Sequence, residues 1–193
     1  MSPTATVGVD EARVAILEAA DRLFYARGIG GVGMDDVRND SGVSLRRLYA
    51  NYPSKSKLVA AWLEDRHARW MCWFVKSVEH HIASGADPLL ATFDALREWV
   101  ASPDYRGCAF LNSIAEVSEI DATHRTIVAA HKATLTEYLA TLAARRATSV
   151  PAWLPGACAV LIDGAIVQSA VTRTSAPIND ARHAATLLLE DLA

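Results

Sequence analysis

Residues 13–58 read RVAILEAADRLFYARGIGGVGMDDVRNDSGVSLRRLYANYPSKSKL, and the spacing of apolar and breaker residues in this stretch decides the fold. Ile16, Leu17, Ala20, Leu23 and Phe24 fall at i, i+1, i+4, i+7 and i+8, one face of an amphipathic helix over residues 10–27. Gly28 follows where a helix can turn off through the left-handed region. After a glycine-rich turn, a short helix is expected from about Met34 to Ser41, broken by Gly42. Ser44 is placed to cap a second short helix ending near Tyr52, and Pro53 stops it. Two short helices joined by a glycine-containing turn make a helix-turn-helix.

The side chains of this motif divide by face. Val37 and Val43 point toward the first helix, and Leu48 and Tyr52, four apart, complete a small core. Leu45, Arg46, Arg47 and Ala50 are left on the outer side, with Tyr49 and Asn51 at its flanks. Arginine has the fork geometry for guanine O6 and N7, and it also pairs with phosphate. A tyrosine hydroxyl, an N-cap serine such as Ser44 and an ammonium at a helix start such as Lys55 are phosphate-contact chemistry. Charge agrees with this division. Residues 1–57 hold eight Lys/Arg against seven Asp/Glu (+1), and residues 58–193 hold eleven against fifteen (−4), which sums to the net charge of −3. Residues 44–57 carry Arg46, Arg47, Lys55 and Lys57 with no acidic residue. A local basic patch, rather than a basic protein, is what phosphate binding needs.

The segment 28–33, Gly-Ile-Gly-Gly-Val-Gly, matches G-x-G-x-x-G to the letter. A dinucleotide fingerprint requires a strand before it and a βαβ unit around it, whereas a helix precedes it here. It is a turn.

The stretch 13–58 resembles the DNA-binding domain of the TetR family of helix-turn-helix regulators. The landmarks are Ile16-Leu17, Ala19-Ala20, Leu23-Phe24, Gly28, Val37, Gly42-Val43-Ser44, Leu48-Tyr49 and Ser54-Lys55. The resemblance implies that Leu45, Arg46 and Arg47 touch base edges, while Tyr49, Asn51 and Lys55 touch the phosphate backbone. It also implies a homodimer on double-stranded operator DNA, with a small-molecule effector releasing a repressor from a palindromic site. Three positions depart from the family pattern. Gly33 stands where Thr or Ser is usual, Arg38 where Ala is common, and Leu45 where a polar or basic residue is common. Gly33 weakens an N-cap contact by about 1 kcal/mol or less. Leu45 suits a thymine methyl, so this departure bears on operator sequence and not on DNA binding as such.

Beyond residue 54 the periodic segments again read as helix, which makes the chain all-α with about nine helices. Ser54 opens a long helix over residues 55–84, whose second half, Trp70-Met71-Cys72-Trp73-Phe74-Val75, is apolar on every side. Further helices are expected at 88–101, 107–118, 121–147, 152–173 and 177–192. Two domains follow: residues 1–54 for DNA, and residues 55–193 for ligand binding and dimerisation, joined by the long helix. Residues 106–116, Arg-Gly-Cys-Ala-Phe-Leu-Asn-Ser-Ile-Ala-Glu, resemble a stretch found in one subgroup of TetR-type regulators.

A pocket in a helical domain is apolar with a few convergent polar groups. Candidate lining residues are Trp70, Trp73, Phe74, Phe93, Trp99, Phe110, Asn112, Glu116, His131, Asp163 and Gln168. Core packing competes for the aromatics, and a structural hydrogen bond competes for Asn112 and Glu116. Asp163, inside an apolar helix, calls for a structural partner. That helix has no polar face and must pack on two sides. Ala157, Leu161, Gly164, Ala165, Gln168 and Leu188 are the candidate dimer interface.

Other classes have less support. His124 and His131 are two helical turns apart, about 10 Å, too far to share one metal without a bend. No HExxH, nucleophile elbow or CxxC pair occurs, so no metal, cofactor or catalysis is expected. A helical protein-interaction module without specific DNA binding is the remaining alternative, and the basic run at 46–57 opposes it. Cys72, Cys108 and Cys158 read as small core residues in a reducing cytoplasm. Residues 1–9 lack a basic segment followed by an apolar one, so no signal peptide is expected. No stretch approaches a membrane span free of charges, and the longest apolar run, near 70–75, is far too short.

Overall fold

The computed structural model describes residues 4–116, 122–146 and 150–190. Among these it contains nine helices and no strand: α1 (Thr4–Arg27), α2 (Met34–Ser41), α3 (Leu45–Asn51), α4 (Lys55–Ala83), α5 (Leu90–Val100), α6 (Ala109–Glu116), α7 (Ala122–Arg146), α8 (Leu154–Thr172) and α9 (Ala176–Glu190). The expected ends of the sixth, seventh and ninth helices, at 117–118, 121, 147 and 191–192, lie outside the described residues.

Two compact units form. The first comprises residues 1–68 together with 109–128, and the second comprises 69–108 together with 129–193. The sequence places the break at residue 54, where a cap begins α4. The unit boundary lies inside α4 because that helix runs unbroken past it.

In the first unit, Ile16, Ala20 and Phe24 of α1 are buried as their spacing requires, while Leu17 and Leu23 are half-buried. Val37 of α2, Leu48 of α3, Tyr52 just after it, and Leu58, Trp62 and Leu63 of α4 are buried in the same unit. Asp21 ties α1 to α4. Its Oδ1 accepts from Trp62 Nε1 at 2.7 Å and from the Arg66 guanidinium at 2.7 Å. Arg66 also stacks 3.7 Å over the Tyr25 ring, and Phe24 meets Trp62 edge-on at 5.2 Å.

In the second unit, α5, α8 and α9 pack together. Asp94 of α5 pairs with Arg97 on its own helix and with Arg182 of α9, and Asp87 holds Arg146 of α7 at 2.8 Å. Asp163 of α8 is half-buried and pairs with the Lys132 ammonium of α7.

Two expectations need correction. Cys72 is exposed, unlike the buried Cys108 and Cys158, because the second half of α4 is not enclosed on every side: Phe74 is buried, and Trp70, Met71, Trp73 and Val75 are half-buried. The longest apolar segment is also not the one at 70–75. By length and composition Leu154–Thr172 is a candidate membrane-spanning helix. One side of it packs against α5 and α9 and carries the Asp163–Lys132 pair, while Val160, Val167 and Val171 stay exposed.

Candidate functional site

The turn between α2 and α3 is built by its residue types. Gly42 adopts φ 69° and returns its N–H to Arg38 O at 3.1 Å, closing α2 in the left-handed region where a Cβ is costly. Ser44 then opens α3, its Oγ accepting the Arg47 N–H at 3.3 Å. Gly33 has no side chain to cap α2. The return half of a capping box is still made, because the Asp36 carboxylate accepts the Gly33 N–H at 2.7 Å. Asp35 and Asp36 also sit in the first turn of α2, where the helix dipole favours negative charge.

Leu48 is fully buried, which fixes the roll of α3 and sends the remaining side chains outward. Leu45 is 46% exposed, and Arg46, Arg47, Tyr49 and Ala50 are exposed with it. Val43, expected to face the first helix, is half-buried. Asn51 is half-buried and donates through Nδ2 to Arg47 O at 2.8 Å, so its amide is engaged with its own helix. Ser54 caps α4 by accepting the Lys57 N–H at 3.2 Å, and this sets Lys55 in the first turn. An open groove of about 570 Å³ runs beside α3, lined by Ala12, Ala15, Gly42–Ser44, Arg46, Arg47, Ala50 and Glu11.

The electrostatics of this unit are divided sharply. Arg22 pairs with Asp40, Arg27 with Asp36, Arg38 with Asp35, and Arg66 with Asp21. Arg46, Arg47, Lys55 and Lys57 form no ion pair among the described residues. Asp21, Asp35, Asp36 and Asp40 are thus engaged away from α3, and Glu11 is the acidic residue that lines the groove beside Arg46 and Arg47.

The candidate pocket residues do not all come together. Trp70, Trp73, Phe74, Trp99 and His131 meet in the second unit. Trp70 stacks on Phe74 at 4.7 Å and meets Trp99 at 5.6 Å and His131 at 5.5 Å. Trp73 stands 6.3 Å from Trp99. Trp99 in turn meets Tyr105 edge-on at 5.0 Å, and Phe74 meets Tyr138 at 6.1 Å. The Trp70 Nε1–H is buried there without a hydrogen-bond acceptor among the described residues.

Phe110, Asn112 and Glu116 belong instead to the first unit. Phe110 packs edge-on to His67 at 6.5 Å. The Glu116 carboxylate reaches the turn after α1, accepting the N–H of Ile29 and, at 3.4 Å, of Gly30. Gly28, at φ 78°, leaves the space that carboxylate occupies, since a Cβ there would lie 2.7 Å from Glu116 Oε2. Gln168 is exposed on α8, and Phe93 is buried in α5.

Of the candidate dimer residues, Ala165 is only 5% exposed and faces its own unit. Ala157, Leu161 and Leu188 are half-buried, and Gly164 and Gln168 are not enclosed by their own unit. The apolar residues α8 offers outward are Val160, Val167 and Val171, which together with Gly164 repeat at helical spacing. The uniform apolarity of α8 concealed that register. Asp21, Arg66 and the destination of Glu116 were also missed, because each acts across a long stretch of sequence. Among the described residues no three His, Cys, Asp or Glu side chains converge as metal ligands.

A capped helix-turn-helix with basic side chains on its outer face, followed by a second helical unit, is the architecture that one-component DNA-binding regulators use. Residues 16–62 match the model of bacterial regulatory proteins of the tetR family. The HTH-type transcriptional regulator TtgR of Pseudomonas putida is 37% identical over 57 residues, which is 30% of this chain and 27% of that protein. The aligned segment thus spans about a quarter of that curated relative. The crystal structure of a TetR-family transcriptional regulator from Streptomyces coelicolor superposes with a TM-score of 0.80 at 26% identity, covering 94% of this chain and 96% of that one. The reduced form of NemR from E. coli shares the fold, with a TM-score of 0.78 at 19% identity over 90% of this chain and 94% of that one. Residues 16–62 thus resemble the DNA-binding domain of that family, and the chain shares the fold of the Streptomyces coelicolor regulator over nearly its full length.

Proposed function

We propose that this protein is a sequence-specific transcriptional regulator, a cytoplasmic homodimer that represses from a palindromic operator and is released by a small-molecule effector. The observation that carries the DNA-binding part is the set of unpaired cations Arg46, Arg47, Lys55 and Lys57 around a helix whose outward face also presents Leu45 and Tyr49. Leu45, Arg46 and Arg47 are assigned to base edges. Ser44, Tyr49, Asn51 and Lys55 are assigned to phosphates, with the Asn51 amide leaving Arg47 O to do so.

Dimerisation places two copies of α3 about 34–36 Å apart, in successive major grooves. The outward valines of α8 support a self-complementary contact. The cluster of Trp70, Trp73, Phe74, Trp99 and His131, with its unsatisfied indole N–H, supports an effector pocket for an aromatic or apolar molecule bearing a hydrogen-bond acceptor.

Effector and operator then weaken each other's binding by the same factor. Coupling is assigned to α4, which starts beside the DNA face and ends in the second unit, and to Glu116, which grips the turn after α1. Equal spacing of the recognition helices in ligand-bound and DNA-bound crystals would overturn this coupling.

The deciding experiment is binding to a genomic fragment library followed by sequencing, with the Arg46→Ala, Arg47→Ala double variant as control. An enriched palindrome that is lost or relaxed in the variant is the expected result. Weak, sequence-blind binding by both proteins would favour a protein-interaction module.

A further inference from the structure

The second unit contains a cavity of about 450 Å³ that the regulatory reading does not use. It lies between the end of α5 with its following loop and the turn from α8 to α9. Val100, Ala101, Pro103 and Ala170 supply apolar surface, while Ser102, Thr174 and Ser175 supply hydroxyls. Arg106 and Arg173 also line it, and no acidic residue does; Asp104, between Pro103 and Tyr105 in sequence, is exposed and outside the lining.

Three observations set this cavity apart from a packing defect. Ser169 lies in its wall fully buried, and its Oγ has no hydrogen-bond partner among the described residues. An orphaned buried hydroxyl is uncommon, and a ligand acceptor is one explanation for it. Arg173 adopts φ 55°, the sole positive-φ residue other than glycine among the described residues. A backbone position that favours glycine but carries an arginine points to a use for the side chain. No hydrogen bond or ion pair holds that guanidinium among the described residues, whereas Arg106 is folded onto Pro103 O and Tyr105 O at 3.1 and 2.8 Å. The start of α9 adds the positive end of a helix dipole at Ser175. Tyr105 bonds Ile166 O at 2.6 Å and so ties the loop to α8, which holds the two walls together.

We propose that this cavity binds a small molecule carrying an oxyanion, a carboxylate or phosphate, on a compact apolar body. Arg173 takes the charge beside the Ser175 hydroxyl, Ser102 and Thr174 already donating to Trp99 O and Thr172 Oγ1, and Val100, Pro103 and Ala170 receive the body. The volume is in the range of small-ligand sites.

The test uses the full-length protein without DNA, so its failure leaves the DNA-binding reading untouched. Benzoate, phenyl phosphate and neutral benzamide are titrated by calorimetry, and amide shifts of Ser102, Arg173 and Thr174 locate the site. Saturable binding of at least one anion, with benzamide far weaker, is expected. Arg173→Gly should lower that affinity at least tenfold while leaving thermal stability unchanged or raised, because glycine relieves the positive φ. Arg173→Lys should keep most of the affinity. Undiminished binding in Arg173→Gly, benzamide binding as well as benzoate, shifts confined to other residues, or no saturable binding up to about 10 mM would each overturn the proposal.

Discussion

Tyr138 places its phenolic oxygen where it has no hydrogen-bond partner among the described residues. Burial, reinforced by the negative charge of Glu79 and opposed by Arg145, pushes its pKa up to about 12 from 10.0. The folded state therefore holds the phenolic proton more tightly than the unfolded chain does. Its contribution is fully present below the unfolded pKa and is lost as pH rises through the folded value. Tyr138→Phe is expected to raise stability by about 1 kcal/mol, since it removes an unsatisfied buried hydroxyl. It should also flatten the alkaline loss. Urea denaturation near pH 7 and near pH 11 measures both effects, and a destabilised variant would mean that the hydroxyl has a partner. Gly28 makes a second residue-scale case. Its φ of 78° and the 2.7 Å that would separate an added Cβ from Glu116 Oε2 act separately. Gly28→Ala should cost about 1–2 kcal/mol for the backbone alone, plus the displacement of Glu116. In a Glu116→Ala background only the backbone cost should remain, and a double-mutant cycle by thermal denaturation separates the two.

Among the elements, α3 depends on its ends. Seven residues are too few to be helical alone, so the Ser44 cap and the buried Leu48 hold it. Ser44→Ala should cost about 1 kcal/mol and Leu48→Ala about 2–5 kcal/mol, both read by chemical denaturation of the full chain. Such features were legible in the sequence because they are local. Gly28, Gly42, Ser44 and Ser54 sit beside the periodic segments they end or begin, and α2 has the expected bounds. The side-chain partners were not legible. Asp21 meets Trp62 and Arg66 across 41 and 45 residues, and Glu116 meets Ile29 across 87, separations at which no periodicity operates. Glu116 on a short apolar helix read equally well as a pocket group. In α8, nearly every position is apolar, so pattern alone could not distinguish the inward Ala165 from the outward Val160.

At the scale of the whole molecule, Val160 and Val171 are 72% and 75% exposed on one helix, a costly arrangement unless another surface covers them. On the dimer proposed above, Val171→Asp should convert dimer to monomer in sedimentation velocity. Operator affinity should then fall more than tenfold, because the second half-site is no longer tethered to the first. An unchanged sedimentation coefficient would remove this stripe from the interface. The carboxylate under the turn after α1 has a further consequence, for how the protein is made. The helix-turn-helix lies within residues 1–68, but the unit that contains it is completed by residues 109–128. A ribosome releases the chain from its N-terminus at about 5–20 residues per second, so a nascent head waits several seconds for the segment that caps its turn. The N–H groups of Ile29 and Gly30 therefore stay without their carboxylate acceptor until residues 69–108 of the second unit have also been synthesised.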